Sequence, residues 1–363
     1  MRTSLRPVPF MKAVSFAAAV VLLSAPIVAQ PQVPAAPASC DPVGSIRFVC
    51  GQDGPEDLVE VPNTRFLVAS AYGQQGGVFL IDTQARSSRK IFPDATAKDR
   101  PDTKTYAECP GAPQGEMRAR FRTHGLFLEP GRNGVHALYA VYHGARESVE
   151  VFELDARNQP ALTWIGCVVA PAGVGLNSVA ALPGGGLVGT NFDPPQPPGS
   201  KTAFTSALTE GRNNGELWDW FPGKGWTKVP GSESAGANGV VLSPDGQWYY
   251  VAQWGNRSFY RLSRGKTPVE RQQIPLGFRV DNVRWAPNGM LLVAGQGDTA
   301  KPGTFNSIIG TIDPKTMTYR EVINYAASAP IGAATVAVQV GPDYWTGTFR
   351  GDRIAIYPVG GAK

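Results

Sequence analysis

One pattern of polar and apolar positions recurs along the chain. A polar residue is followed six positions later by proline, with an alternating apolar run between them. The segments are EDLVEVP from Glu56, HGLFLEP from His124, NSVAALP from Asn177, NGVVLSP from Asn238 and DNVRWAP from Asp281. A sixth, VAVQVGP from Val336, has the same shape but starts apolar. After each proline comes a Gly- or Asn-containing turn and a second β-rich run, such as HALYAVYH, WYYVAQW or MLLVAGQ. A third run follows in most units, such as ESVEVFEL, RSFYRLS or DRIAIYP. Alternation broken by turn residues predicts strand, turn, strand. Units in common register at intervals of roughly fifty residues predict an all-β, six-bladed β-propeller, with four-stranded antiparallel blades around a central channel. The run SIRFVC at Ser45–Cys50 precedes the first unit and is placed to complete the sixth blade, closing the ring and covering two sheet edges. Two connections are long, Pro93–Arg120 and Asp193–Asn214, and long loops in compact domains are candidate lids or binding loops.

The N-terminus departs from this pattern. Arg2, Arg6 and Lys12 precede an apolar run from Ala13 to Val28, and Ala29 offers a small residue before a cut. This order predicts a secretory signal peptide over residues 1–29. A Pro/Ala-rich linker over 30–44 then leads to a propeller domain over 45–363. No later segment is apolar for long enough to span a bilayer. The expected location is therefore periplasmic or extracellular. Cys40, Cys50, Cys109 and Cys167 form an even set in an oxidising compartment, which favours two disulfides. Three connectivities are possible, and Cys40–Cys50 with Cys109–Cys167 is preferred. The composition, with Gly 42, Pro 32 and charged residues at 17%, suits many short strands and turns rather than a helical bundle. The net charge of +5 comes without a Lys/Arg block and carries no footprint for nucleic acid.

In a propeller the first strand of each blade lines the axis, so residues at one register form a ring. That ring reads Glu56, His124, Asn177, Asn238 and Asp281, with Asn282 beside the last and Val336 as the apolar member. Burying such a set costs several kcal/mol per ion unless something balances it. Two carboxylates and three amides are hard oxygen donors that suit calcium. With one imidazole and no thiol the set is a poor match for zinc. A hydrated polar plug is the alternative.

The segments PEDLVEVPNTRFLVAS, THGLFLEP, ALYAVYHGARESVEVFEL, LNSVAALPGGGLVGTNF, ANGVVLSPDGQWYYVAQW and VDNVRWAP, in this order from Glu56 onward, resemble the paraoxonase/arylesterase family. A broader similarity to senescence-marker/gluconolactonase and strictosidine-synthase-like propellers is also present. The resemblance implies two calcium ions in the channel. It puts Glu56, Asn177, Asn238, Asp281 and Asn282 on a catalytic ion, and Asp57 with the backbone carbonyl of Leu126 on a deeper structural ion. Where the family has an aspartate for that deeper ion, this chain has Ser178, so a single calcium is expected. The resemblance also implies a histidine pair, matched by His124 and His143. His136 is expected to be structural.

The implied chemistry is calcium-assisted hydrolysis of a lactone or ester, with the ion polarising the carbonyl. His124 would deprotonate a water while His143 orients or relays, and Glu56 is a second candidate base. Tyr72, Phe192, Trp254 and Phe349 follow second strands on the same side and are the expected substrate walls. Two other readings are carried forward. One is a sugar lactonase of the gluconolactonase type, which would want an arginine near the ring. The other is a non-hydrolytic propeller that binds a ligand or catalyses isomerisation or condensation.

Overall fold

In the computed structural model, which describes residues 39–196, 200, 202–328 and 333–359, every unit is an antiparallel sheet. The signal segment and most of the linker lie outside the described residues. The first blade runs Leu58–Glu60, Phe66–Ser70, Val78–Asp82 and Ser87–Phe92. The second adds a fifth, parallel strand, Lys98–Asp99, beside Ala161–Val169. The sixth is completed from the other end of the chain. Arg47–Cys50 pairs antiparallel with Arg353–Pro358, so the ring is closed as the sequence predicts.

The first strands of neighbouring blades pack against one another around the axis. Outside them, apolar side chains fill the space between blades. Val338, Trp345 and Ile354 of the sixth blade meet Leu58, Leu67 and Ile81 of the first, and equivalent clusters lie at the other blade junctions. Strands in the middle of a blade are covered on both faces, and Val78–Asp82 and Trp248–Gln253 are correspondingly apolar and almost wholly buried.

One irregularity positions the site. In blades two to six the pairing of first and second strands lapses for two residues. These are His124-Gly125, Asn177-Ser178, Asn238-Gly239, Asp281-Asn282 and Thr335-Val336. Such bulges free side chains from strict alternation and re-aim them. Glu56-Asp57, just before Leu58, occupies the matching place in blade one. The register corrects one expectation: the sixth blade sets Thr335, not Val336, at the ring. The hairpin closing Val340 on Asp343 is tighter there, so counting six residues back from the proline stops one residue short of the ring. Val336 instead joins the packing between blades six and one. Gly125 and Gly239 sit where neighbouring inner strands approach closely. A Cβ at Gly125 would lie 2.3 Å from the Asn177 carbonyl oxygen, and one at Gly239 would lie 2.7 Å from Asn282 Cα.

Both preferred disulfides are present, Cys40–Cys50 and Cys109–Cys167. The second ties the 93–120 connection to the fourth strand of blade two, Ala161–Val169. This connection contributes nothing to the main cavity, whereas the connection from Asp193 does.

Candidate functional site

The bulges gather Glu56, His124, Asn177, Asn238 and Asp281 at the floor of a cavity of about 330 Å³. Asn282 lies beneath them and donates from Nδ2 to Glu56 Oε1 at 2.7 Å. All but His124 are nearly inaccessible, from Asn282 at 0% to Asp281 at 6% exposure. Glu56 Oε2, Asn177 Oδ1, Asn238 Oδ1 and Asn282 Oδ1 are buried without a hydrogen-bond partner among the described residues. Each such oxygen costs roughly 1–3 kcal/mol if left unsatisfied. Burial, reinforced by the charges of Asp281 and Asp57, raises the Glu56 pKa well above its ordinary value. Burial likewise pushes Asp281 up to about 7. The donor set is hard and amide-rich, a character that fits calcium rather than zinc. Among the described residues no group of three or more His, Cys, Asp or Glu is placed to hold a metal, so a site here depends on the amides.

Asp281 is aimed by a residue that the sequence reading missed. Gln296 Nε2 donates to Asp281 Oδ2 at 2.6 Å and to the Ala334 carbonyl at 2.7 Å. Gln296 Oε1 accepts from Trp254 Nε1 at 2.7 Å, linking the floor to the wall. Thr335 donates from Oγ1 to the Glu56 carbonyl at 2.5 Å.

The deeper position is filled differently from what the resemblance implies. Arg284 donates from Nη2 to Asp57 Oδ2 and, at 3.1 Å, to the Leu126 carbonyl. It also donates from Nε to the Leu58 carbonyl at 3.0 Å. Asp57 accepts further from the amides of Leu58 and Leu126. The guanidinium thus engages both groups expected on a second ion. Ser178 Oγ accepts from the Val240 amide at 3.3 Å. A clue was available in the sequence: the fourth position of the repeat is Val59, Phe127, Ala180 and Val241 in the first four units, and Arg284 in the fifth. When ionised, Glu56, Asp57 and Asp281 against Arg284 leave a formal charge of minus two, which matches one divalent ion.

His124 and His143 meet as expected, with His124 Nδ1 2.8 Å from His143 Nε2. His124 Nε2 faces the floor, 3.4 Å from Asn177 Nδ2 and 3.6 Å from Glu56 Oε2. Burial, helped by His143 and Arg122, lowers the His124 pKa well below the ordinary value, which favours the neutral imidazole. His136 is buried elsewhere and accepts from the Gly131 amide, a structural role.

Tyr72, Phe192, Trp254 and Phe349 all line the cavity. Phe204 and Phe305 join them, as do Pro194 and Pro195 from the long loop. Phe204 packs 5.6 Å from Trp254 and 6.0 Å from Phe192, centroid to centroid. Asp193 brackets this loop, accepting from Thr205 at one point and from Asn214 Nδ2 at its end. Arg122 also lines the cavity. Its guanidinium lies 4.1 Å from the Tyr72 ring centroid and its Nε donates to the Tyr72 carbonyl.

The fold and these features define a six-bladed propeller with an oxygen-lined floor under an aromatic cavity. No family model matches the sequence, and no curated protein matches it. Solved structures do. The chain is similar to a provisionally described gluconolactonase at 15% identity, with TM-score 0.52, over 87% of this chain and 93% of that one. It is also similar to the PQQ-bound aldose sugar dehydrogenase of Streptomyces coelicolor, at 15% identity and TM-score 0.51, over 86% and 97%. At such identities the likeness is one of fold.

Proposed function

We propose that this chain is a calcium-dependent hydrolase of lactones or aryl esters. The observation that carries the reading is the convergence of four unpartnered buried oxygens with Asp281 directly beneath an aromatic cavity. Glu56, Asn177, Asn238, Asp281 and Asn282 would hold one calcium. When bound, it would supply Lewis-acid polarisation of the scissile carbonyl. The aromatic walls would seat the apolar body of the substrate and exclude bulk water. His124 Nε2, neutral and facing the floor, would take a proton from the attacking water. Gln296 would keep Asp281 turned toward the ring. The propeller neighbours and the two disulfides are compatible with an exported enzyme acting on a small molecule.

Arg122 favours a second reading. Among the described residues this cation on the cavity wall pairs with no carboxylate, and it suits a sugar lactone or an anionic group on the substrate.

The test is a panel of aryl esters, alkyl lactones and sugar lactones, assayed on the full chain with calcium and with chelator. Hydrolysis that needs calcium supports the proposal, and its preferred class separates the two readings. Calcium binding without turnover of any panel member sinks the hydrolase and leaves a ligand-binding or non-hydrolytic role.

A further inference from the structure

The histidine pair does not end at His143. His143 Nδ1 lies 2.9 Å from Glu147 Oε2, and Glu147 Oε1 accepts from the Leu176 amide at 2.8 Å. His143 and Glu147 face each other across the hairpin joining Val135–His143 to Glu147–Asp155. Leu176 belongs to the next blade and precedes Asn177 of the ring. One carboxylate therefore ties the histidines of blade two to the strand that carries Asn177.

From this geometry we infer that Glu147 is a positioning residue that sets the direction of the whole relay. A carboxylate accepts hydrogen bonds, so His143 must carry its proton on Nδ1. His143 Nε2 is then bare and accepts from His124, which puts the His124 proton on Nδ1. The basic lone pair of the two-histidine relay is then at His124 Nε2, which faces the ring. Without Glu147 the opposite direction becomes available: His143 would donate from Nε2, and His124 would present an N–H to the floor. The carboxylate decides between two tautomeric states of the pair.

The Glu147→Gln variant inverts this logic. The Leu176 amide is fixed in the strand and demands an acceptor, so the glutamine oxygen must face it. The amide nitrogen then faces His143 Nδ1 and donates to it. His143 and His124 should both move to the Nε2–H form, and the lone pair should leave the floor. Glu147→Asp keeps the carboxylate and should keep the original direction.

The tautomers are readable without any substrate. The chain has 3 histidines, so long-range proton–nitrogen NMR of the full chain labelled at histidine resolves each ring, with His136 as internal control. Wild type and Glu147→Asp should show Nδ1–H on both His124 and His143, and Glu147→Gln should show Nε2–H on both. If wild-type His143 carries its proton on Nε2, or if Glu147→Gln leaves both rings unchanged, the inference is overturned. If Glu147→Gln does not fold, the wild-type and Glu147→Asp spectra still decide. The catalytic consequence rests on the hydrolase proposal. With a hydrolysed substrate in hand, Glu147→Gln should lower kcat by about a hundredfold with little change in KM, in the range a positioned base contributes. Glu147→Asp should recover part of it. Absence of hydrolysis in wild type would fail the hydrolase reading alone, because the tautomer result does not depend on it.

Discussion

Arg284 reaches Asp57 across the channel, and the same nitrogen also donates to the Leu126 carbonyl, so one guanidinium joins three blades at the axis. Asp57 is wholly buried and Arg284 nearly so. Removing one member of a buried pair leaves the other charge uncompensated, at a cost of roughly 3–5 kcal/mol. Arg284→Met should therefore lower unfolding free energy by about 3 kcal/mol or more in the presence of chelator. Calcium should restore part of that loss by entering beside Asp57, raising the bound ion count from one to two. Ser178→Asp alone should leave the count at one, because Asp57 and the Leu126 carbonyl remain committed to Arg284. Chemical denaturation and elemental analysis after dialysis measure both. Two tightly held ions in wild type would mean that Arg284 does not substitute for a cation.

Glu56 and Asp281 are the two carboxylates at the ring proper. Replacing either with its amide keeps the volume and removes one charge facing the ion. Glu56→Gln or Asp281→Asn should weaken calcium by tenfold or more, about 1.4 kcal/mol, and abolish hydrolysis. His124→Gln should keep calcium and lose turnover. Titration calorimetry on each variant checks this, and unchanged calcium affinity in both carboxylate variants would remove the ring as the metal site.

The same carboxylates predict a pH signature for the calcium-free protein. Asp281 is pushed up to about 7 from an ordinary 3.8, chiefly by burial, and Glu56 is raised for the same first reason. A raised pKa means the folded state binds the proton more tightly than the unfolded chain. The stabilisation is complete below 3.8 and is lost as pH rises through about 7. Melting temperatures in chelator should fall across that window, and saturating calcium should flatten the fall by favouring the charged forms. A melting temperature in chelator that rises steadily from pH 4 to about 7 would contradict this balance of the two groups.

The repeat was legible because a shared register leaves a shared mark: a polar residue, an apolar alternation and a proline. Glu56, His124, Asn177, Asn238 and Asp281 were found that way; the last four sit in the bulges of blades two to five, and Glu56 lies just before the first strand of blade one. Thr335 was missed because a shorter hairpin shifts the proline marker by one residue without changing the alternation nearby. Gln296 and Arg122 were missed for another reason. They lie next to the ring elements in space but outside the repeated segment, so no periodicity points to them. Glu147 is four residues from His143, yet only the hairpin geometry reveals that the two face each other. Arg284 was legible in retrospect, as a charge at a position that is apolar in the first four units.

Arg122 offers the last discrimination, between neutral aryl substrates and polar or anionic ones. Its guanidinium is held by the Tyr72 carbonyl and stacked on the Tyr72 ring, so it is oriented before any substrate arrives. A pre-oriented guanidinium adds most to a substrate group that can accept two hydrogen bonds, such as a carboxylate or a pair of sugar hydroxyls. Hydrogen bonds to a charged group contribute roughly 1.5–3 kcal/mol, about tenfold or more in affinity. Arg122→Met preserves an unbranched apolar stem against Tyr72 and removes those donors. For a sugar lactone or an anionic lactone, kcat/KM should fall at least tenfold, mainly through KM. For a neutral aryl ester it should change little. Equal losses on both classes would assign Arg122 to holding Tyr72 and the neighbouring His124 in place, and would withdraw the support it lends to the sugar-lactone reading.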